Sequence, residues 1–408
     1  MAHAPHLPSE AAPDDAAPWS NKAAIGILML TIFVDLLGFG IVIPLLPEYA
    51  RSFGATAGIV GALVAGYSLM QFIFGPILGA LSDRIGRRPV LLGTIAINGL
   101  AFIIFGLSGT LAMLFVARLV SGIAAANLSV AQASLADMTP PSERAQVFGL
   151  IGAAFGMGFV FGPPLGALIA GTLGSAAVGF CVAALCALNF VSALLFLRES
   201  RDPKAAKEDT DGSGVFASLR EVPAIRRLLA VMFLFTLGFS VMPVIGALIF
   251  ADRFGLTAVQ IGYVFTLIGV ATATVQAAIG PLAKAFGERR VLLVGLVFVG
   301  AGIAALPFVP VQMFLWVGLP ALVIYAFGHA FVYPTLTALV AAETDEARQG
   351  TVLGQLQAAG SLALVVGPVG AGYLYDASIS VPFVITGVVL LLAILIAAGH
   401  PRNRIQTT

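Results

Sequence analysis

Long apolar runs separated by short polar turns organise this chain of 408 residues. Twelve runs qualify or nearly qualify as spans, starting near residues 23, 57, 89, 110, 145 and 175, then 224, 258, 289, 311, 349 and 380. A run of about 20 apolar residues is the length at which an α-helix crosses the hydrocarbon core of a bilayer. The pattern therefore predicts an all-α membrane protein with twelve transmembrane helices.

Composition agrees with the pattern. The chain is 59% hydrophobic and 10% charged, with a mean hydropathy of +1.01. A soluble domain carries roughly 25% charged residues, so lipid is the only solvent that can cover this much apolar surface. The net charge of +1 gives no basic excess for binding nucleic acid. Cys181 and Cys186 share one apolar run with no cysteine framework around them, and read as small packing residues.

The polar segments divide the chain. Residues 1–22, rich in Ala and Pro, lack the basic start and short apolar stretch of a secretory signal and read as a flexible cytoplasmic tail. Residues 23–197 form a first six-helix bundle, 198–222 a charged cytoplasmic linker, 223–399 a second six-helix bundle and 400–408 a cytoplasmic tail. The two bundles echo each other. FVDLLGFGIVIP at 33–44 matches FLFTLGFSVMP at 233–243, GALSDRIGRR at 79–88 matches GPLAKAFGERR at 280–290, and Gly162-Pro163 matches Gly367-Pro368. Three matches at offsets of 200, 201 and 205 residues indicate duplication. Two pseudo-symmetric halves joined as a parallel repeat are one transporter plan, with the cargo site between them near mid-membrane.

Charge sets the orientation. With the N-terminus in the cytoplasm, 18 of the 21 Lys and Arg fall on the cytoplasmic side. Arg51 and Arg253 fall outside, and Arg118 lies within the fourth span. Such a split is a strong positive-inside signal and needs an even number of spans, with both ends cytoplasmic. The same layout, without organelle signals, points to a bacterial inner membrane.

Several motifs resemble the major facilitator superfamily, and the resemblance covers nearly the whole chain. GALSDRIGRR, with Gly79, Asp83, Arg84, Gly86, Arg87 and Arg88, is similar to that family's loop between helices 2 and 3. RLVSG at 118–122 resembles its second motif, and GFVFGPPLG at 158–166, with Gly158, Gly162, Pro163 and Gly166, resembles a third that is associated with antiporters. Asp35 with Gly38, Gly40, Pro44 and Pro47 is similar to the first helix of drug–proton antiporters, and the stretch from Arg118 to Pro163 most resembles the tetracycline exporter branch. Two features depart from that branch. Thr272 stands where those exporters carry a His in helix 8, and the ninth span has no acid. The resemblance implies export of small amphiphilic molecules such as drugs in exchange for protons, by a monomer.

The same residues read physically in a consistent way. A charge at mid-helix costs roughly 2.5–3.5 kcal/mol on insertion scales, so Asp35 needs a reason to be in an apolar run. Loading and releasing a proton is one, and a structural hydrogen bond to a neighbouring helix is the alternative. Its twin position holds Phe235, so the fold itself does not require the acid. Arg118 stays charged and must meet a carboxylate, a carbonyl or water. It is expected to hold Asp35 ionised until protonation or cargo releases it. Asp83 is expected to latch onto the start of the eleventh span near Gly350, a helix N-terminus with partial positive charge. Asp137 and Glu143 are candidate partners for the loop arginines. Gly152, Gly156, Gly158, Gly162 and Gly166 recur mostly at four-residue spacing and form one smooth face. That face is expected to pack against a helix of the other half and limit proton leak.

Tyr67, Gln71, Asn127, Gln132, Gln276, Tyr325, His329, Tyr333 and Gln357 are candidates for cargo contact within the spans, although a residue of this kind taken alone more often makes a helix–helix hydrogen bond. Asn127 and Gln276 lead, because the resembling exporters use polar residues in helices 4 and 8. No phosphate loop, zinc-protease helix or ligand-spaced Cys/His cluster occurs, so the chain reads as no enzyme, with no metal or cofactor and a proton gradient for energy. A metabolite or sugar exporter of the same plan differs only in cargo. A non-transporting receptor would normally carry a sizeable soluble output domain, and the longest polar stretch is about 25 residues.

Overall fold

A computed structural model describes residues 18–139, 144–200, 223–276, 278–344 and 349–399. The linker at 201–222, Glu143 and both tails lie outside the described residues, as do the surroundings of Arg144, Gly152 and Gly350. Among the described residues, twelve helices are long and apolar enough to cross a membrane. They are α1 (Pro18–Arg51), α2 (Ala57–Ile85), α3 (Arg87–Gly106), α4 (Leu111–Met138), α5 (Arg144–Leu173), α6 (Ser175–Phe196), α7 (Pro223–Asp252), α8 (Ala258–Gln276), α9 (Glu288–Phe308), α10 (Val311–Ala342), α11 (Gln349–Ala377) and α12 (Val381–Ala398). A short helix, Ile279–Phe286, follows α8. Large apolar side chains such as Leu195, Trp316 and Leu395 are exposed all round the bundle, which is the surface of a multi-pass membrane protein rather than a water-facing one.

The helices form two six-helix bundles. In the first, α1 packs on α5 and α3 on α6; in the second, α9 packs on α10 and α12. The halves meet along α2 with α11, α5 with α8, and α1 with the second part of α7. The duplication is visible in the backbone. Gly54 and Gly255 take positive φ (80° and 66°) at the turns after α1 and α7, and Gly86 and Gly287 do so (101° and 83°) before α3 and α9. Each pair sits one repeat apart, where only glycine adopts the turn without strain.

The Gly-Pro pairs of α5 and α11 have matching duties. The carbonyl of Pro163 abuts Gly262 of α8, and that of Pro368 abuts Gly61 of α2. Both contacts cross between the halves, and a side chain at either glycine would separate them. The glycine face of α5 behaves differently from expectation. Gly158, Gly162 and Gly166 face α1 of their own half, against Leu36, Gly40, Ile41 and Leu45. Of this series Gly156 turns to the other half, towards Ala273. A smooth face predicts close packing without naming the partner, and here α1 meets it with Gly40.

This packing has a measurable consequence. A Cβ on Gly162 would lie 2.8–2.9 Å from backbone atoms of Gly40, which cannot move aside as a side chain would. Gly162→Ala is expected to destabilise the protein by about 1–3 kcal/mol, read as a lower melting temperature in detergent. Gly93→Ala, where nothing lies within 4 Å, is expected to leave it unchanged.

Candidate functional site

The polar centre of the first half is built around Asp35. Its two oxygens accept from different helices: Asn98 Nδ2 of α3 at 2.7 Å and Asn127 Nδ2 of α4 at 2.6 Å. α4 breaks at Ala126, whose amide turns back to Ile123, so Asn127 opens a new helical segment and reaches across to α1. A carboxylate with both oxygens filled by N–H donors is satisfied in its ionised form, since that form only accepts. Asp35 borders a small cavity that is also lined by Phe39, Tyr67, Asn98, Arg118 and Ser121. Gln71 is not part of the lining, but donates to the carbonyl of Ala125, which is, at 3.3 Å.

Arg118 shares this cavity but does not bind Asp35, contrary to the expected pair. The asparagines occupy the carboxylate, and the guanidinium lies over the Tyr67 ring, 4.4 Å from its centroid. Among the described residues Arg118 makes no ion pair, and its enclosed Nε has no hydrogen-bond partner. Asn98 was not singled out from the sequence.

Other candidates lie elsewhere. In the second half His329 stacks on Phe239 at 4.4 Å and on Phe235 at 5.9 Å. Tyr333 donates to Gln357 Oε1 at 2.8 Å, and Tyr325 is buried beside Gly302 with its hydroxyl unpartnered. None of these borders the Asp35 cavity, nor do Gln132, which is half-buried, and Gln276, which is exposed.

On the face that carries the α2–α3 turn, Arg87 is the hub. It is buried, pairs with Asp83 at 2.8 Å and Asp137 at 3.2 Å, and donates to Ser82 at 2.6 Å. A Cβ on Gly86 would run into the Glu199 carboxylate, one on Gly79 would meet nothing within 4 Å, and Arg84 is exposed. Residues 345–348, just before α11, lie outside the described residues, and so does the latch expected there. Glu199, which follows α6, was missed in the sequence. Its carboxylate accepts from the amides of Arg87 (2.7 Å) and Arg88 (3.1 Å) and so caps the start of α3. Arg88 in turn donates to the Leu194 carbonyl near the end of α6, and its twin Arg289 donates to the Ala398 carbonyl at the end of α12. These two repeat-related arginines thus each hold a helix C-terminus, where a cation is favoured.

The opposite face carries contacts that the sequence did not flag. Arg51 forks onto Asp252 at 2.7 and 2.8 Å, and Tyr375 donates to the same carboxylate at 3.0 Å. Arg51 and Asp252 end α1 and α7, so repeat-related positions with opposite charge meet across the halves. Beside them Asp376, at the end of α11, accepts from the amides of Ala57 (2.9 Å) and Gly58 (2.8 Å), the first two residues of α2.

Relatives share this arrangement of helices. The profile of the Major Facilitator Superfamily matches residues 28–354 and 227–404. The chain is 34% identical to the tetracycline resistance protein of class C from Escherichia coli over 369 residues, covering 88% of this chain and 91% of that one. It is 28% identical to multidrug resistance protein 2 of Bacillus subtilis (strain 168), covering 92% and 94%. Among solved structures, the human organic anion transporter MFSD10 (TETRAN) superposes with a TM-score of 0.69 at 26% identity, covering 92% of this chain and 99% of that one. With two duplicated six-helix bundles and a match that runs through both, the chain belongs to the major facilitator superfamily of membrane transporters, and it is no enzyme.

Proposed function

We propose that this transporter exports small amphiphilic molecules in exchange for protons, by alternating access. The observation that carries the proposal is the Asp35 site. One acid, with Phe235 at its twin position, sits midway along α1 with both oxygens held by amide donors and a cavity beside it. A buried acid of this kind in a membrane transporter is a proton relay by preference. Amide side chains suit that role. Each asparagine can turn its oxygen towards a protonated carboxyl, so either form of the acid keeps its hydrogen bonds.

The relatives support export of drugs. One is named for tetracycline resistance and another for multidrug resistance. The positions with His and acid in the resembling exporters are Thr272 and the acid-free stretch 291–308 of α9 here, so the second half contributes aromatic and uncharged polar surface instead. Arg118 contributes a fixed positive charge to the same cavity and acts on Asp35 through space. Energy comes from the proton gradient: one charge falling through 100 mV yields about 2.3 kcal/mol. The arginine-rich face is the cytoplasmic one, the termini are cytoplasmic, the membrane is a bacterial inner membrane and the working unit is a monomer.

The test uses a host stripped of its own pumps and vesicles made from it. Expression is expected to lower susceptibility to several amphiphilic drugs, and inverted vesicles are expected to accumulate a fluorescent drug only while their lumen is acid. Accumulation that survives a protonophore would remove proton exchange, and a susceptibility panel without change would remove drug export.

A further inference from the structure

Beyond its action on Asp35 through space, Arg118 is left with an aromatic ring as its neighbour and no ionic partner among the described residues. It is 5% exposed, keeps its charge in any surroundings, and has no carboxylate partner among the described residues. An unpaired charge at this depth is costly unless an anion joins it. Its fork of donors suits a carboxylate. The neighbouring surface is aromatic: Tyr67 lies under the guanidinium and Phe39 is 5.6 Å from Tyr67, ring centre to ring centre. Asp35 borders the same space with the opposite charge and is held by neutral amides, not by Arg118.

We infer that the cargo is an aromatic zwitterion whose acid group docks on Arg118 and whose amine faces Asp35. This rests on the cavity being the cargo site, and it names the cargo class. In this state the cavity has about 20 Å³ of room, enough for a water or the polar head of a ligand, so the ring of the cargo lies towards Tyr67 and Phe39 once the helices part. The arrangement also supplies the exchange. A proton on Asp35 removes the charge that holds the amine, while the acid group on Arg118 is unaffected, so proton and cargo compete at one carboxylate only.

Three fluorescent probes separate the charges: Nε-dansyl-lysine, its methyl ester, which lacks the acid, and its Nα-acetyl form, which lacks the amine. With purified full-length protein in nanodiscs, the zwitterion is expected to bind about tenfold tighter than either blocked form, the yield of one well-made charged hydrogen bond. Arg118→Gln is expected to bring the zwitterion down to the affinity of the ester and leave the ester unchanged. Arg118→Lys is expected to keep part of the preference. Equal binding of the three probes by the wild type, binding of none, or equal weakening of all three by Arg118→Gln would overturn the assignment. The wild-type comparison stands even where a variant fails to fold. Gradient-driven export, measured separately on the drug panel, tells the two readings apart. Export without the charge preference removes only the zwitterion assignment, whereas the preference without export removes the pump.

Discussion

Inverted vesicles carrying Asp35→Asn are expected to take up no more drug under an acid lumen than vesicles without the transporter, although the variant folds. The reasoning begins with the hydrogen bonds. Each oxygen of Asp35 accepts from one amide, at 2.7 Å from Asn98 and 2.6 Å from Asn127. The variant presents one oxygen and one NH2 group. Either Asn98 or Asn127 can rotate its own amide to offer an oxygen to that NH2, so both bonds survive. The melting temperature is therefore expected to stay within a few degrees of wild type, because the number of buried hydrogen bonds is unchanged. What is lost is the proton, which a neutral amide neither binds nor releases. Asp35→Glu keeps an acid but moves it by one methylene against tightly packed asparagines, and is expected to retain a fraction of the uptake. Its pH profile should still respond to lumen acidity, while the amide variant should show none. If Asp35→Asn pumps at the wild-type rate and still collapses the pH gradient, the acid is structural and proton exchange runs elsewhere.

Much of the fold was legible because membrane helices leave little freedom. The apolar runs must span, so helix starts could be read within a few residues for most of α1 to α12. The repeat was legible in turns that only glycine can make, at Gly86 and Gly287. Asp35 and Arg118 stood out because charge is rare in lipid, and both border one cavity. Their relation was not legible. Sequence gives the depth of each charge, not its rotation about the helix or what its neighbours have already claimed, and Asn98 and Asn127 had claimed the carboxylate. Asn98 itself is one amide in the α3 run and carries no pattern of its own. The partner of the glycine face was open for a similar reason, since four-residue spacing fixes a face but not what it meets. Glu199, Asp252 and Asp376 lie at helix ends, where acids are ordinary solvated residues, and only the assembled halves show them capping or bridging.

The acids on the face opposite the arginine-rich one carry the second large prediction. Asp252 and Asp376 join the halves at the ends of α7 and α11, and their partners Arg51, Ala57 and Gly58 belong to α1 and α2. Under the proposed alternating access these ends part when the transporter opens on this side, so the contacts belong to the state in which this side is closed. Their removal should favour opening. A lost helix cap costs about 1 kcal/mol. The Arg51 bridge is about one-third exposed at both partners, and a surface pair of that kind is worth at most about 1 kcal/mol after screening. Together they give about 2 kcal/mol, which is roughly a 30-fold shift in the ratio of closed to open. The double variant Asp252→Asn and Asp376→Asn is expected to show that shift as a growing long-distance population between spin labels at Ser52→Cys and Ser378→Cys, with Cys181 and Cys186 replaced by alanine. Asp252→Asn alone should move the population by less, and more weakly in high salt, because only the bridge is screened. Asp376→Asn alone should be insensitive to salt by comparison, since its partners are backbone amides at close range. A distance distribution identical to wild type in the double variant would mean that backbone packing at Gly61 and Pro368, and not these acids, holds the side closed.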